Sequence, residues 1–332
     1  MGKSESGLRI RRVAFCEICS GIPRVPGQLS AFPTQSGLLW NVEQPVANFD
    51  QTNGTWPFGA GARDPGENFI ERICDFMRKA IREAKEKTNW TNPNQDYESA
   101  VLRFVKSVLE SEEFRGIFLP FQRKAAYFGM LNSLSQTLIK LTAPGVPDIY
   151  RGNELWEFSL VDPDNRRPVD YKARRRTLQV LKNAFDSTHQ SIVPKARELA
   201  QNMEDGRIKL YTLWRVLALR KQRPELFREG KYIPLRITGE KAKHVLAFAR
   251  IAADGLLITA VPRLCAELLG GKHNLVGDCD IWGDTRIELL PTPETRFENL
   301  LTGEPVESEG QTNTASIPLT GLYANFPVAL LI

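Results

Sequence analysis

The run Thr142-Ala-Pro-Gly-Val-Pro-Asp-Ile-Tyr-Arg-Gly-Asn-Glu-Leu-Trp156, continued by Ser159-Leu-Val-Asp-Pro-Asp-Asn-Arg-Arg-Pro-Val-Asp170, decides how this chain is read. Residues 146–150 have the composition of a short buried parallel strand, with Pro144-Gly145 as the turn before it and Gly152 where the backbone bends after it. Beyond that end stand Glu154, Asp162, Asp164, Arg166, Arg167 and Asp170, interleaved with Trp156 and Phe158. Polar and aromatic residues past the C-terminal end of a parallel strand are where barrel enzymes keep their sites. Carboxylates and amides pair with hydroxyls, arginines brace carboxylates bidentately, and rings such as Tyr150 and Trp156 can stack on a flat ligand face. The bland reading is that Asp-Pro-Asp-Asn forms a strong turn, pinned by Arg166 and Arg167 on Asp162 or Asp170. For residues 162–170 both readings stand. Asp148 is expected to be buried in a structural hydrogen bond, whereas Tyr150 and Glu154 are expected to face a ligand.

Working outward, residues 1–63 are rich in Gly, Pro and Asn and read as irregular. Asp64-Pro65, with Glu67 following, is a helix start, and Phe69, Ile70, Ile73, Phe76, Met77, Ala80 and Ile81 then recur at helical spacing. A second helix carries Tyr97, Val101, Phe104, Val105 and Val108, and a third spans 121–141. Asn132, Ser133, Ser135 and Gln136 on that third helix read as a satisfied helix contact. Shorter helical patterns cover 171–184, 194–203 and 205–219, and Arg174-Arg-Arg176 on the first of these reads as a solvated face. After Lys231 the period changes to two, with strand patterns at 245–250, 256–261, 286–290, 297–301 and 328–332, and a hairpin turn at Leu301-Thr-Gly-Glu304. The expected organisation is therefore an irregular segment (1–63), a helical region containing the lone strand (64–230) and a β domain (231–332). Trp282, in the β part, reads as core packing in preference to a ligand platform.

Of the residues, 25% are charged and 42% hydrophobic, ordinary globular usage, and a net charge of +5 without a Lys/Arg block excludes a nucleic-acid surface. No apolar run approaches a membrane span, so the chain reads as cytoplasmic with no membrane partner. The Gly2 and Ser6 spacing of a myristoylation signal stands alone and reads as coincidence. Five cysteines argue for a reducing compartment, and Cys16-Glu-Ile-Cys19 lacks the second Cys/His pair of a metal site. No metal or organic cofactor is implied.

The stretch 142–170 resembles the eighth strand and following loop of the α-amylase superfamily barrel, and within it the maltooligosyl trehalose synthases. Similar phrases are Asp64-Pro-Gly-Glu-Asn-Phe-Ile-Glu-Arg-Ile73, Trp90-Thr-Asn-Pro-Asn-Gln-Asp-Tyr-Glu98, Phe118-Leu-Pro-Phe-Gln-Arg123, Gly129-Met-Leu-Asn-Ser-Leu-Ser-Gln-Thr-Leu138 and Pro327-Val-Ala-Leu-Leu-Ile332. The resemblance runs from about Ile22 to the end. It implies an α+β architecture: the C-terminal part of a (β/α)8 barrel with a helical insertion, followed by an antiparallel β-sheet domain. It also implies an enzyme that converts the reducing-end α-1,4 linkage of a maltooligosaccharide into an α,α-1,1 linkage by intramolecular transglucosylation. Substrate binding falls on Tyr150, Arg151, Asn153, Glu154, Trp156, Asp162, Asp164, Asn165, Arg166, Arg167 and Asp170.

In the superfamily a nucleophilic Asp, an acid/base Glu and a third Asp preceded by His follow strands four, five and seven. Here His189, His244 and His273 precede Gln190, Val245 and Asn274, so no His-Asp pair occurs and no catalytic residue is assigned. The chain alone is expected to be inactive, and to associate with itself or with the missing barrel half, because a barrel short of strands exposes its edges. The alternatives are a non-catalytic glucan-binding or complementing module and a hydrolytic relative of the superfamily.

Overall fold

The computed structural model describes residues 55–56, 64–185, 191–253, 255–272, 274–291, 295–310 and 315–332. Apart from Thr55 and Trp56, the segment 1–63 lies outside them, and with it the Cys16–Cys19 pair.

Helix α1 (Gly66–Ala84) opens where Asp64 Oδ1 accepts the Gly66 N–H at 3.0 Å. Its buried residues Phe69, Ile70, Ile73, Met77 and Ile81 fall on one face, as a 3.6-residue period requires. That face packs on Val101, Val105 and Leu109 of α2 (Gln95–Glu110), with Trp56, Leu119 and Leu160 completing a first core. Asn94 caps α2 by accepting the Tyr97 N–H. Helix α3 (Glu112–Thr142) starts nine residues before the expected position 121. Ser111 caps it, accepting from Phe114 N at 3.2 Å, and Glu112 and Glu113 complement the positive end of the helix. Pro120 lies inside α3 and forgoes the bond to the carbonyl one turn back, which a 31-residue helix tolerates.

Helices α4 (Tyr171–Phe185), α5 (Val193–Gln201), α6 (Arg207–Gln222) and α7 (Pro224–Arg228) follow. The C-terminal half of α3 lies against α6 in a second core shared with the sheets, through Leu131, Leu134, Leu138, Leu213 and Val216 among others. Strands begin at Lys231. The first sheet is antiparallel in the order β1 (Lys231–Pro234), β3 (Val245–Ala252), β4 (Gly255–Pro262), β9 (Ala329–Leu331). The strand β2 (Ile237–Thr238) pairs with β5 (Arg286–Glu288), which pairs with β8 (Ser316–Pro318). The hairpin β6 (Arg296–Glu298) and β7 (Pro305–Glu307) turns through 299–304, where Gly303 adopts φ +70°. A four-residue helix, α8 (Cys265–Leu268), follows β4. The polar residues expected on the third helix contribute one tie: Ser135 Oγ donates to the Pro262 carbonyl at 2.9 Å, joining α3 to β4. Trp282 is 1% exposed and its ring lies 5.0 Å from that of Tyr323, as core packing requires. The described residues fall in one compact unit.

Residues 146–150, expected as a buried strand, form none. Val146 is 96% exposed, and Asp148, expected to be buried, is exposed as well. A parallel strand is made by neighbours on both sides, and every named strand pairing among the described residues is antiparallel and lies beyond Lys231. Pro147 also withholds a donor from any ladder. The mixed content of long helices followed by antiparallel sheets is otherwise the architecture expected. No helix among the described residues is long and apolar enough to cross a membrane.

Candidate functional site

The segment after α3 is held by cations that the sequence places far away. Asp164 is the centre: Arg72 of α1 meets it through Nε at 2.9 Å and Nη2 at 2.8 Å, and the Leu160 N–H reaches Oδ2 at 2.7 Å. Arg72 also donates to the Phe158 carbonyl at 2.6 Å. Burial pushes the Asp164 carboxyl up, but Arg72, the Leu160 N–H and nearby Arg167 outweigh it and hold the group below the usual carboxylate range. Arg167 donates to the Asp164 carbonyl and, at 3.0 Å, to Ser159 Oγ. Arg166 pairs with Asp162, whose carbonyl accepts from Lys79. Arg151 donates to the Asn165 carbonyl at 3.0 Å. Asp170 caps α4, accepting the Ala173 N–H at 2.8 Å.

These bonds bring Asp162, Asp164, Asn165, Arg166 and Arg167 together as a braced turn, with Asp170 at its exit. The pairing differs in one detail from expectation, Arg167 going to Asp164. The braces from α1, Arg72 and Lys79, were not singled out in the sequence; their spacing of seven residues on a helix is the signal that places them on one side.

Glu154 is gripped by Arg174 of α4, Nε to Oε2 at 3.0 Å, while Arg174 Nη2 reaches the Gly152 carbonyl at 2.8 Å. Of the three arginines read as a solvated face, Arg174 is therefore turned inward; Arg175 and Arg176 are exposed. Trp156 is tied down too, its Nε1 donating to the Met203 carbonyl at 2.6 Å. Lys209 of α6 donates to the Leu155 carbonyl at 3.2 Å and sits 5.4 Å from the Trp156 ring centre. Burial lowers the Lys209 ammonium to about 8, with Lys140 acting in the same direction and Glu154 and Glu157 opposing. Gly206, at φ +76°, lies so close that a Cβ there would meet Leu155 at 3.3 Å.

Tyr150 remains 49% exposed. Beside it an open apolar groove of about 500 Å³ is lined by Ile149, Glu154, Leu178, Leu210, Trp214 and Leu217. The segment thus offers an exposed ring, an oriented carboxylate and fixed guanidinium groups next to apolar surface. Among the described residues no group of three or more His, Cys, Asp or Glu side chains is placed to hold a metal ion.

A helical layer bearing a braced polar loop, followed by small antiparallel sheets, is the mixed α+β arrangement that the resemblance to the α-amylase superfamily implied. No family model matches the chain. The putative maltooligosyl trehalose synthases of two Mycobacterium tuberculosis strains are 35% identical to it over 284 residues, covering 84% of this chain and 30% of those proteins. Among solved structures, the maltooligosyltrehalose synthase from Arthrobacter ramosus is 30% identical with a TM-score of 0.63, covering 86% of this chain and 32% of that one. The hypothetical maltooligosyl trehalose synthase of Sulfolobus tokodaii is 25% identical with a TM-score of 0.58, covering 87% and 32%. Over the matched stretch the chain is similar to the maltooligosyl trehalose synthases, and it spans about 30% of the length of the curated relatives it matches.

Proposed function

We propose that this chain is a C-terminal portion of a cytoplasmic enzyme that isomerises the reducing-end α-1,4 linkage of maltooligosaccharides to an α,α-1,1 linkage. In that reading the segment 150–170 grips the glucan and breaks no bond. The observation that carries it is the segment's construction: Tyr150 stays half exposed while Glu154 is fixed by Arg174 and the turn behind is fixed by Arg72. A rigid frame with one open ring holds a sugar at low entropic cost. Asn153 and Arg151, close to that ring in sequence, are assigned to the sugar's hydroxyls, and the further candidates, from Trp156 to Asp170, act as the frame. The bond chemistry, a retaining double displacement by two carboxylates, falls to residues of the whole enzyme outside this chain, so the chain alone holds glucan without turning it over.

A second reading, a non-catalytic glucan-binding or complementing module, is favoured by the apolar groove at Ile149 and Leu217 and by the outward Val146. Such surface is what a missing barrel half would cover. A two-dimensional NMR titration with maltopentaose tests both. Shifts concentrated at residues 149–154 are expected; an unchanged spectrum at saturating sugar overturns glucan holding by this chain.

A further inference from the structure

Trp90 is the one tryptophan among the described residues that stands largely in solvent, 57% exposed. It is nevertheless held firmly. The Arg82 guanidinium lies over one face of the ring, 5.0 Å from its centre. Arg82 is itself clamped by Glu98, Nε to Oε1 at 2.8 Å and Nη2 to Oε2 at 2.7 Å, and Glu98 is 5% exposed and takes a third bond from Thr88 at 2.6 Å. The backbone beneath the ring is fixed as well: Asn89 Oδ1 accepts from Thr91 N, Thr91 Oγ1 and Asn92 N. A buried, charge-assisted clamp costs desolvation, and this one ties α1 to α2 while holding the guanidinium against the ring. It fixes an aromatic ring with one face against a cation and the opposite face towards water.

We propose that this face is a stacking platform for a glucose unit of a longer α-1,4-glucan. The proposal deepens the glucan reading above and rests on it. Rings held in this way lose little entropy on binding, and an aromatic surrounded by Asn and Thr side chains meets both the apolar face and the hydroxyls of a pyranose. Position also favours one extended ligand. Arg72, which braces the Asp164 turn, and Arg82, which holds Trp90, are ten residues apart on α1 and on neighbouring faces, roughly 15 Å along the axis at 1.5 Å per residue. A glucan lying along α1 from the Asp164 turn passes Trp90, and a longer glucan makes that span more readily than a short one.

The test is calorimetric titration of the whole chain, wild type, Trp90→Ala and Trp90→Phe, with maltotriose and with maltoheptaose. Removing the ring is expected to weaken maltoheptaose about three- to tenfold, the phenylalanine variant keeping most of the affinity. Maltotriose binding is expected to stay unchanged. Equal affinity of the alanine variant and wild type for maltoheptaose, with an unaltered circular dichroism spectrum, overturns the platform and leaves the Tyr150 segment standing. Equal losses for both sugars also overturn it. Failure of the wild-type chain to bind either sugar overturns the platform together with the glucan reading.

Discussion

Arg250, in the middle of β3, donates from Nη1 to the carbonyl of Thr142 at 3.0 Å, tying the last turn of α3 to a strand 108 residues away. The same guanidinium reaches the carbonyls of Phe227 at 2.9 Å and Gly230 at 2.8 Å, and the side chain is 1% exposed. Those bonds all go to backbone carbonyls, so the cation is balanced by the negative ends of α3 and α7. Arg250 thereby fixes where α3 stops and where the 146–150 segment begins.

Replacing Arg250 by methionine keeps much of the volume and leaves those carbonyls buried without donors. Each costs on the order of 1 kcal/mol or more, so a loss of roughly 3 kcal/mol is expected in urea denaturation. A change within about 0.5 kcal/mol, the range of an ordinary surface substitution, would show that the carbonyls find other donors.

Asp164→Asn removes the charge on which Arg72, Arg167 and the Leu160 N–H converge. The side chain is 10% exposed, and breaking a partly buried pair of this kind costs about 2–3 kcal/mol. The native carboxyl titrates below its ordinary range, so its contribution is present above that range and lost as pH falls through the lowered folded value. The asparagine variant is expected to lose this acid limb in a pH series of thermal melts, and an unaltered limb would assign it elsewhere.

Lys209 behaves in the opposite sense to a surface lysine. Its folded value of about 8 lies below the ordinary 10.5, so between those values the unfolded chain binds more protons and stability rises with pH. The gain is complete above 10.5 and is lost as pH falls through 8. Lys209→Met is expected to raise stability at pH 7 by an amount on the order of 3 kcal/mol, less the lost bond to Leu155, and to flatten that rise. Parallel urea titrations of both proteins at pH 7 and pH 10 read it directly; a variant less stable than wild type at pH 7 refutes the buried-charge account.

Helices and sheets were legible because their signals are local. Phe69, Ile73 and Met77 announce α1 by spacing alone, and the change of period after Lys231 announces the strands. The start of α3 was missed: Ser111, ten residues before the expected start, carries the cap, and Pro120 lies inside the helix. The strand expected at 146–150 failed for a different reason: its five residues have strand composition, but pairing depends on partners that no local pattern reports. For the 162–170 loop the self-bracing alternative was visible in Asp-Pro-Asp-Asn-Arg-Arg, and it is the one the ion pairs form. That the brace is Arg72, 92 positions before Asp164, was not legible.

Tyr150 is half exposed, so Tyr150→Ala is expected to leave the melting temperature within about a degree. Its affinity for maltopentaose is expected to fall about three- to tenfold, the loss of one stacking ring. Unchanged affinity by calorimetry would move the sugar contact away from this segment.

The central claim is that this chain holds glucan for chemistry performed by the rest of a mutase. Incubating the purified, folded chain with maltopentaose, while following reducing-end loss and a glucoamylase-resistant trehalosyl product, tests it most directly. The expected result is that the sugar is recovered unchanged. Accumulation of the trehalosyl product would contradict the account, because it would require a catalytic carboxylate pair within these 332 residues.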